Sequence, residues 1–189
     1  MSTETTTSQT LADATGTWVI DPTHTNIGFS VRHAMVSKVR GHFNDYTGSF
    51  TIDGANLANS IAELTIQSAS IETKTPDRDA HLKSPDFLDV ENFPTLTFVS
   101  TSVAPKGDDE VVVTGDLTIH GVTKSVDVTY TFLGLSTDPY GNNKIGFEGS
   151  AKISRKDFGL TWNAALETGG VMIGDDIKLN LDVEANKQV

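Results

Sequence analysis

Residues 111–132 read VVVTGDLTIHGVTKSVDVTYTF, and this stretch decides the fold. Val111, Val113, Gly115, Leu117 and Ile119 alternate with Val112, Thr114, Asp116 and Thr118. Beyond His120-Gly121, Val126, Val128, Tyr130 and Phe132 alternate with Asp127, Thr129 and Thr131. A period of two sends successive side chains to opposite faces of a strand. Gly121 supplies the positive φ of a tight hairpin, with the flanking β-branched residues paired across it. The stretch therefore predicts two antiparallel strands with one apolar face.

The same period recurs outward in both directions. Towards the N-terminus it runs through Ile27, Phe29 and Val31; Val39, Gly41 and Phe43; Phe50 and Ile52; Leu64 and Ile66; Leu96 and Phe98. Towards the C-terminus it runs through Ile145, Phe147 and Ile153, then Ile177, Leu179, Leu181 and Val183. Turn clusters such as Asp53-Gly54, Asp138–Asn143 and Gly169-Gly170 separate the runs. About eight or nine strands, each with one apolar face, make an antiparallel sandwich or barrel. A doubly wound α/β fold needs helices of roughly 10–15 residues between strands, and no segment has that pattern. Short helical turns are expected around Asp77–Lys83, Ser84–Val90 and Ser154–Leu160.

Composition narrows the function classes. The chain has 189 residues and a net charge of −11, which disfavours non-specific nucleic-acid binding and a lipid-docking tail. It has no cysteine, hence no disulfide framework, thiolate nucleophile or Cys-type zinc site. Residues 1–16 are Thr/Ser-rich, without Lys, Arg or an apolar run, and read as a disordered tail; one domain is expected over 17–189. Lacking the basic and apolar parts of an export signal, and any run long enough to span a membrane, the chain is expected in the cytoplasm.

Catalytic motifs are absent: no Gly-x-Ser-x-Gly, His-Glu-x-x-His, Walker loop or dinucleotide fingerprint occurs. His24, His33 and His42 stand nine apart, so neighbours fall on opposite faces of a continuous strand. They are read as strand-end or surface histidines, with neither a catalytic nor a metal role. Asp108-Asp109-Glu110 and Asp175-Asp176 read as solvated turns. Arg32 and Arg40 share their segment with His33 and His42, a place where an anionic or polar head group could sit. At about eight strands, an apolar interior either fills a barrel or lines a ligand cavity, and periodicity does not choose between them.

The motifs resemble the YceI-like family. The resemblance begins with Trp18-Val-Ile-Asp-Pro-Thr-His24, Asn26-Ile-Gly-Phe-Ser-Val-Arg-His33 and Gly41-His-Phe-Asn. It continues through Arg78-Asp-Ala-His-Leu-Lys-Ser-Pro-Asp-Phe-Leu-Asp-Val90, Gly115–Lys124 and Ile153-Ser-Arg-Lys-Asp-Phe-Gly159 to the last strand. It implies an all-β, lipocalin-like, eight-stranded antiparallel barrel, often dimeric. Its apolar pore would hold a polyisoprenoid or another long-chain amphiphile such as a quinone precursor or fatty-acid derivative. It implies a binding or carrier protein without catalytic residues, cofactor or metal. The positions matching the family's pore are Phe29, Val31, Phe43, Phe50, Leu64, Phe98, Phe158 and Trp162. The competing expectation is an enzyme, of cyclase or isomerase type, acting on a hydrophobic molecule inside the barrel. Its candidates are His24, His33, His42 and Arg32 at one mouth.

Overall fold

A computed structural model describes residues 9–189. In chain order its strands begin with β1 (Gly16–Ile20), β2 (Asn26–His33), β3 (Ser37–Phe43), β4 (Tyr46–Ile52), β5 (Ile61–Gln67) and β6 (Ile71–Glu72). The helix α1 (Pro76–Lys83) follows, then β7 (Thr95–Lys106), β8 (Glu110–Ile119), β9 (Val122–Thr137), β10 (Asn143–Ser154) and β11 (Ile173–Lys187). All ladders are antiparallel.

These segments close into an eight-stranded barrel because the first three barrel strands are each broken once. β11 pairs β2 over Ile177–Asp182 and β1 over Ala185–Lys187, so β1 and β2 are two halves of one strand. β3 pairs β2 and β4 pairs β1, so β3 and β4 form the next broken strand. β5 pairs β4 while β6 pairs β3, which makes the third. The five strands from β7 to β11 complete the ring. The expectation of a closed antiparallel barrel holds, and closure removes the free edges that an open sheet would present.

The break between β1 and β2 has a local cause. Pro22 has no N–H for a ladder, and Thr25 substitutes with its side chain. Its hydroxyl donates to the Glu184 carbonyl and accepts from the Glu184 N–H, both at 3.1 Å. Tyr46 braces the same loop by donating its hydroxyl to the Thr25 carbonyl at 2.7 Å.

Turns and caps follow the local chemistry. The β8–β9 hairpin turns on two residues, with φ of 53° at His120 and 71° at Gly121. A Cβ at Gly121 would stand 2.6 Å from the Phe93 ring, so glycine is required there for space as well as for φ. α1 opens on Pro76 with Asp77 and Asp79 in its first turn, and His81 and Lys83 lie in its last. It ends at Ser84 because Pro85 holds its predecessor extended, and Ser84–Val90 forms hydrogen-bonded turns instead of the expected helical turn. Arg155–Phe158 does form a 3-10 turn, closed by Gly159 at a φ of 76°.

The expected tail over residues 1–16 lies partly outside the described residues. From Gln9 onward the chain is packed on the barrel. Leu11–Ala14 form a 3-10 turn, and Ala14 is fully buried. Its carbonyl accepts the Trp18 indole N–H at 2.9 Å, and the Gln9 side-chain oxygen accepts the Leu135 N–H at 2.7 Å. A buried indole needs an acceptor, and this turn supplies it.

Candidate functional site

The barrel interior is not filled. The end carrying α1 and the β2–β3 turn is called upper here. Two cavities lie within the wall, an upper one of about 260 Å³ and a lower one of about 190 Å³. Six residues line both: Phe29, Phe43, Leu96, Ile119, Ile153 and Leu179. The two chambers therefore meet at a shared waist.

Glycines in the wall keep the bore open. Phe29 faces Gly41 across the β2–β3 ladder, and a Cβ at Gly41 would stand 2.5 Å from the Phe29 ring. Tyr130 covers Gly149 in the same way on β9 and β10. Each ring thus sits close to the strand opposite, in space that a side chain there would take.

All eight expected pore positions border this bore. Phe29 and Phe43 stand at the waist with ring centroids 5.8 Å apart. Phe50, Leu64 and Phe98 line the lower chamber; Val31, Phe158 and Trp162 line the upper. Sequence reasoning missed Leu96, Ile119, Ile153 and Leu179 as waist residues, although the alternation had already turned them inward. It also missed Leu11 and Leu57, which reach the lower chamber from 3-10 turns that carry no period.

The two chambers differ in chemistry. Glu63 is the one charged residue lining the lower chamber among the described residues, and the phenol of Tyr130, set against the bore rather than bulk water, is pushed up to about 12 by burial. The upper chamber is bordered by Arg32, His33, Arg78, His81 and Arg155, and by no carboxylate among the described residues. Three of these five are committed within the fold, His81 through its Nε2, which lies 2.9 Å from the Asp86 carboxylate. Arg78 donates to the Thr73 hydroxyl and carbonyl, both at 2.7 Å. Arg155, 3% exposed, donates to the carbonyls of Gly174, Leu160 and Trp162 at 2.7–2.9 Å. Desolvation lowers the Arg155 pKa, and Asp175 opposes that shift. Above the chamber His81 stacks edge-on against both Trp162 and Phe87, with centroids 4.7 and 5.0 Å away.

The three evenly spaced histidines do not converge. His33 borders the upper chamber, His42 lies 3.3 Å from Glu72, and His24 belongs to the β1–β2 break. The arrangement expected for a histidine-based active site is therefore not assembled at one mouth.

His24 belongs instead to a charged clasp. Its Nδ1 lies 3.0 Å from Asp21 and 3.5 Å from Glu184, and Lys144 Nζ lies 3.3 and 3.0 Å from the same carboxylates. Asp21, His24 and Glu184 have the spacing of metal ligands, but the Lys144 ammonium already occupies the cationic position between the two acids. Hydrogen bonds from Thr23 and His24 hold the Asp21 carboxyl well below its usual range, and Asp21 in turn raises the His24 imidazole. A raised histidine contributes stability fully below its unfolded value of about 6.5, and that contribution is lost as pH rises through its folded value. A depressed aspartate contributes above its unfolded value of about 3.9, and that is lost as pH falls through its folded value. The clasp is thus strongest between about pH 4 and 6.5. His24→Ala is expected to lower the thermal midpoint at about pH 5 and to match the parent at about pH 9. Thermal unfolding at both pH values checks this, and an equal deficit at both would exclude the protonated clasp.

The family model for the YceI-like domain matches residues 18–185. A UPF0312 protein of Shewanella denitrificans is 40% identical over 173 residues, covering 90% of this chain and 87% of that protein. The crystal structure of a Campylobacter jejuni YCEI protein superposes with a TM-score of 0.69 at 35% identity, covering 89% and 96% of the two chains. A Saccharophagus degradans structure, described as a polyisoprenoid-binding domain implicated in plant cell wall breakdown, gives 0.68 at 17% identity, covering 90% and 98%. At that identity the likeness concerns the fold. No helix among the described residues is long and apolar enough to cross a membrane.

Proposed function

The chain belongs to the YceI-like domain family, and from that premise we propose that it is a non-catalytic carrier of a long-chain amphiphile, a polyisoprenoid in first place. The pair of apolar chambers stacked along the barrel carries the reading. The two chambers share six apolar waist residues, so a linear chain fits them better than a compact ring system. Each methylene moved from water into such a bore contributes roughly 0.8 kcal/mol, so about a dozen buried carbons suffice for tight binding without a specific polar contact.

The ligand's orientation follows from the asymmetry of the two chambers. The tail occupies the lower chamber, and the polar head lies beside Arg32 and His33 in the upper one. Phe29, Val31, Phe43, Phe50, Leu64, Phe98, Phe158 and Trp162 are the proposed contacts. The polyisoprenoid-binding description of the Saccharophagus degradans domain agrees with this class of ligand.

The test is organic extraction of the purified protein with mass spectrometry, accompanied by a fluorescence titration with prenyl alcohols and fatty acids. Trp162 borders the bore, whereas Trp18 is buried outside its lining. Saturable quenching is expected in the parent and is expected to be lost in Trp162→Phe, while Trp18→Phe keeps it. No saturable response to any chain, together with no co-purified lipid, would overturn the carrier reading.

A further inference from the structure

The outer face of β10, β11, β2 and β3 carries a concentration of positive charge, of which Arg32 also borders the upper chamber. Arg40, Ser30, Lys178 and Lys152 lie in one cross-strand row over these four strands, and Lys38 faces Arg32 beside it. All five basic residues are exposed. They are five of the fourteen Lys and Arg in a chain whose net charge is −11. The depression bordered by Arg32, Lys38, Lys152 and Lys178 holds one acid among the described residues, Asp176, which Lys152 holds at 2.8 Å. Lys152 opposite Lys178, and Arg32 opposite Lys38, are like-charged cross-strand pairs, which weaken a sheet. Farther down the same face the sign reverses, with Glu148 opposite Asp182.

An apolar tip adjoins this patch. The β2–β3 turn projects Met35 at 58% and Val36 at 84% exposure, with Val171 at 40% beside them. Ala34 and Met35 hold φ values of 48° and 64°, a left-handed conformation unfavourable for residues with a Cβ. The turn is fixed from below by the Ala34 N–H donating to the Met172 carbonyl at 2.7 Å. His33 and Met172, at the foot of the tip, both line the upper chamber. Exposed apolar side chains rimmed by cations, at the end of a bore, fit a surface that is anionic outside and hydrocarbon beneath.

We propose that this basic face and the Ala34–Val36 tip dock on an anionic lipid bilayer, setting the upper end of the bore against the membrane that supplies or receives the amphiphile. The proposal rests on the carrier reading. A nucleic acid would meet the same cations but gives no role to Met35 and Val36, and the remainder of the chain repels it.

The experiment is co-sedimentation of the full chain with vesicles of phosphatidylcholine alone and of phosphatidylcholine mixed with phosphatidylglycerol, over a series of salt concentrations. Binding is expected to the mixed vesicles only, falling as salt rises. Lys38→Glu with Lys178→Glu is expected to weaken it at least about tenfold, since each cation near such a surface contributes about 1 kcal/mol. Met35→Ser with Val36→Ser is expected to abolish the fraction that resists salt. Circular dichroism and thermal unfolding verify that these exposed changes leave the fold intact. No sedimentation of the parent, equal binding to both vesicle types, charge-reversed protein that binds like the parent, or displacement by a single-stranded oligonucleotide at equal concentration each overturns the proposal. Uptake of a fluorescent fatty acid in vesicle-free buffer is measured on the same variants. Uptake without vesicle binding rejects docking alone, and vesicle binding without uptake rejects the carrier reading.

Discussion

Arg155→Met is expected to destabilise the protein by about 3–5 kcal/mol, the range for removing a buried, fully hydrogen-bonded charge. The guanidinium lies under the upper chamber at 3% exposure. Its Nε donates to the Gly174 carbonyl at 2.9 Å, and its Nη1 to the Leu160 and Trp162 carbonyls at 2.7 and 2.9 Å. Asp175 stands 3.6 Å from Nη2 and balances the charge. One side chain thus ties the segment after β10 to the start of β11, over the gap left by the loop between them. Methionine preserves the stem and removes every donor. The orphaned carbonyls are partly buried, so water replaces the donors incompletely. For a chain of this size the expected loss is a fall of roughly 6–20 °C in thermal midpoint. The urea midpoint should move with the slope unchanged, and Trp162 emission should shift red as its segment loosens. Arg155→Lys recovers only part, because one ammonium cannot reproduce a planar fork aimed at three carbonyls. A loss below about 1 kcal/mol would mean that the segment is held by Phe158 and Leu160 packing rather than by the arginine.

The barrel was legible in the sequence because period two is a direct record of which face is wet. Phe29 and Val31, or Leu179 and Leu181, turn inward in the structure as their alternation requires. The breaks were less legible. Alternation gives separate runs, and only the pairing of β11 with both β1 and β2, carried on through β3, β4, β5 and β6, joins the pieces into single barrel strands. Hollowness was beyond periodicity altogether. Gly41 occupies an inward position in its run, but that the Phe29 ring packs against it depends on the neighbouring strand. The same holds for Arg155. In sequence it is one of four arginines, each resembling a surface ion pair, and its burial arises from a loop that returns to β11 some eighteen residues later. The basic face is likewise assembled from four strands and leaves no trace as a run of charges.

Leu179→Trp is expected to separate ligands by length, weakening long chains by about two to three orders of magnitude and leaving short ones nearly unchanged. Leu179 stands at the waist, facing Phe29 on β2 and Ala151 on β10. An indole there fills the passage between the chambers. A ligand long enough to thread both chambers must then withdraw its tail, and each excluded methylene forfeits roughly 0.8 kcal/mol. Four to six excluded carbons account for about 3–5 kcal/mol, and a tenfold change in affinity is about 1.4 kcal/mol. Strain from overpacking, of about 1–3 kcal/mol, appears in stability and is measured separately by thermal unfolding. Asn180→Trp is the control, because the adjacent residue points to the outer face. Titration of a fatty-acid series should show affinity rising with chain length in the parent and in Asn180→Trp. In Leu179→Trp it should reach a plateau once the upper chamber is full. If the plateau does not appear, a chain does not pass the waist, and the two chambers act as separate sites. If affinity falls equally for every length, the indole has distorted the upper chamber, and a plug at Ile119 or Ile153 must replace it. Chain-length dependence is thus the property that distinguishes one continuous bore from two pockets that share a wall.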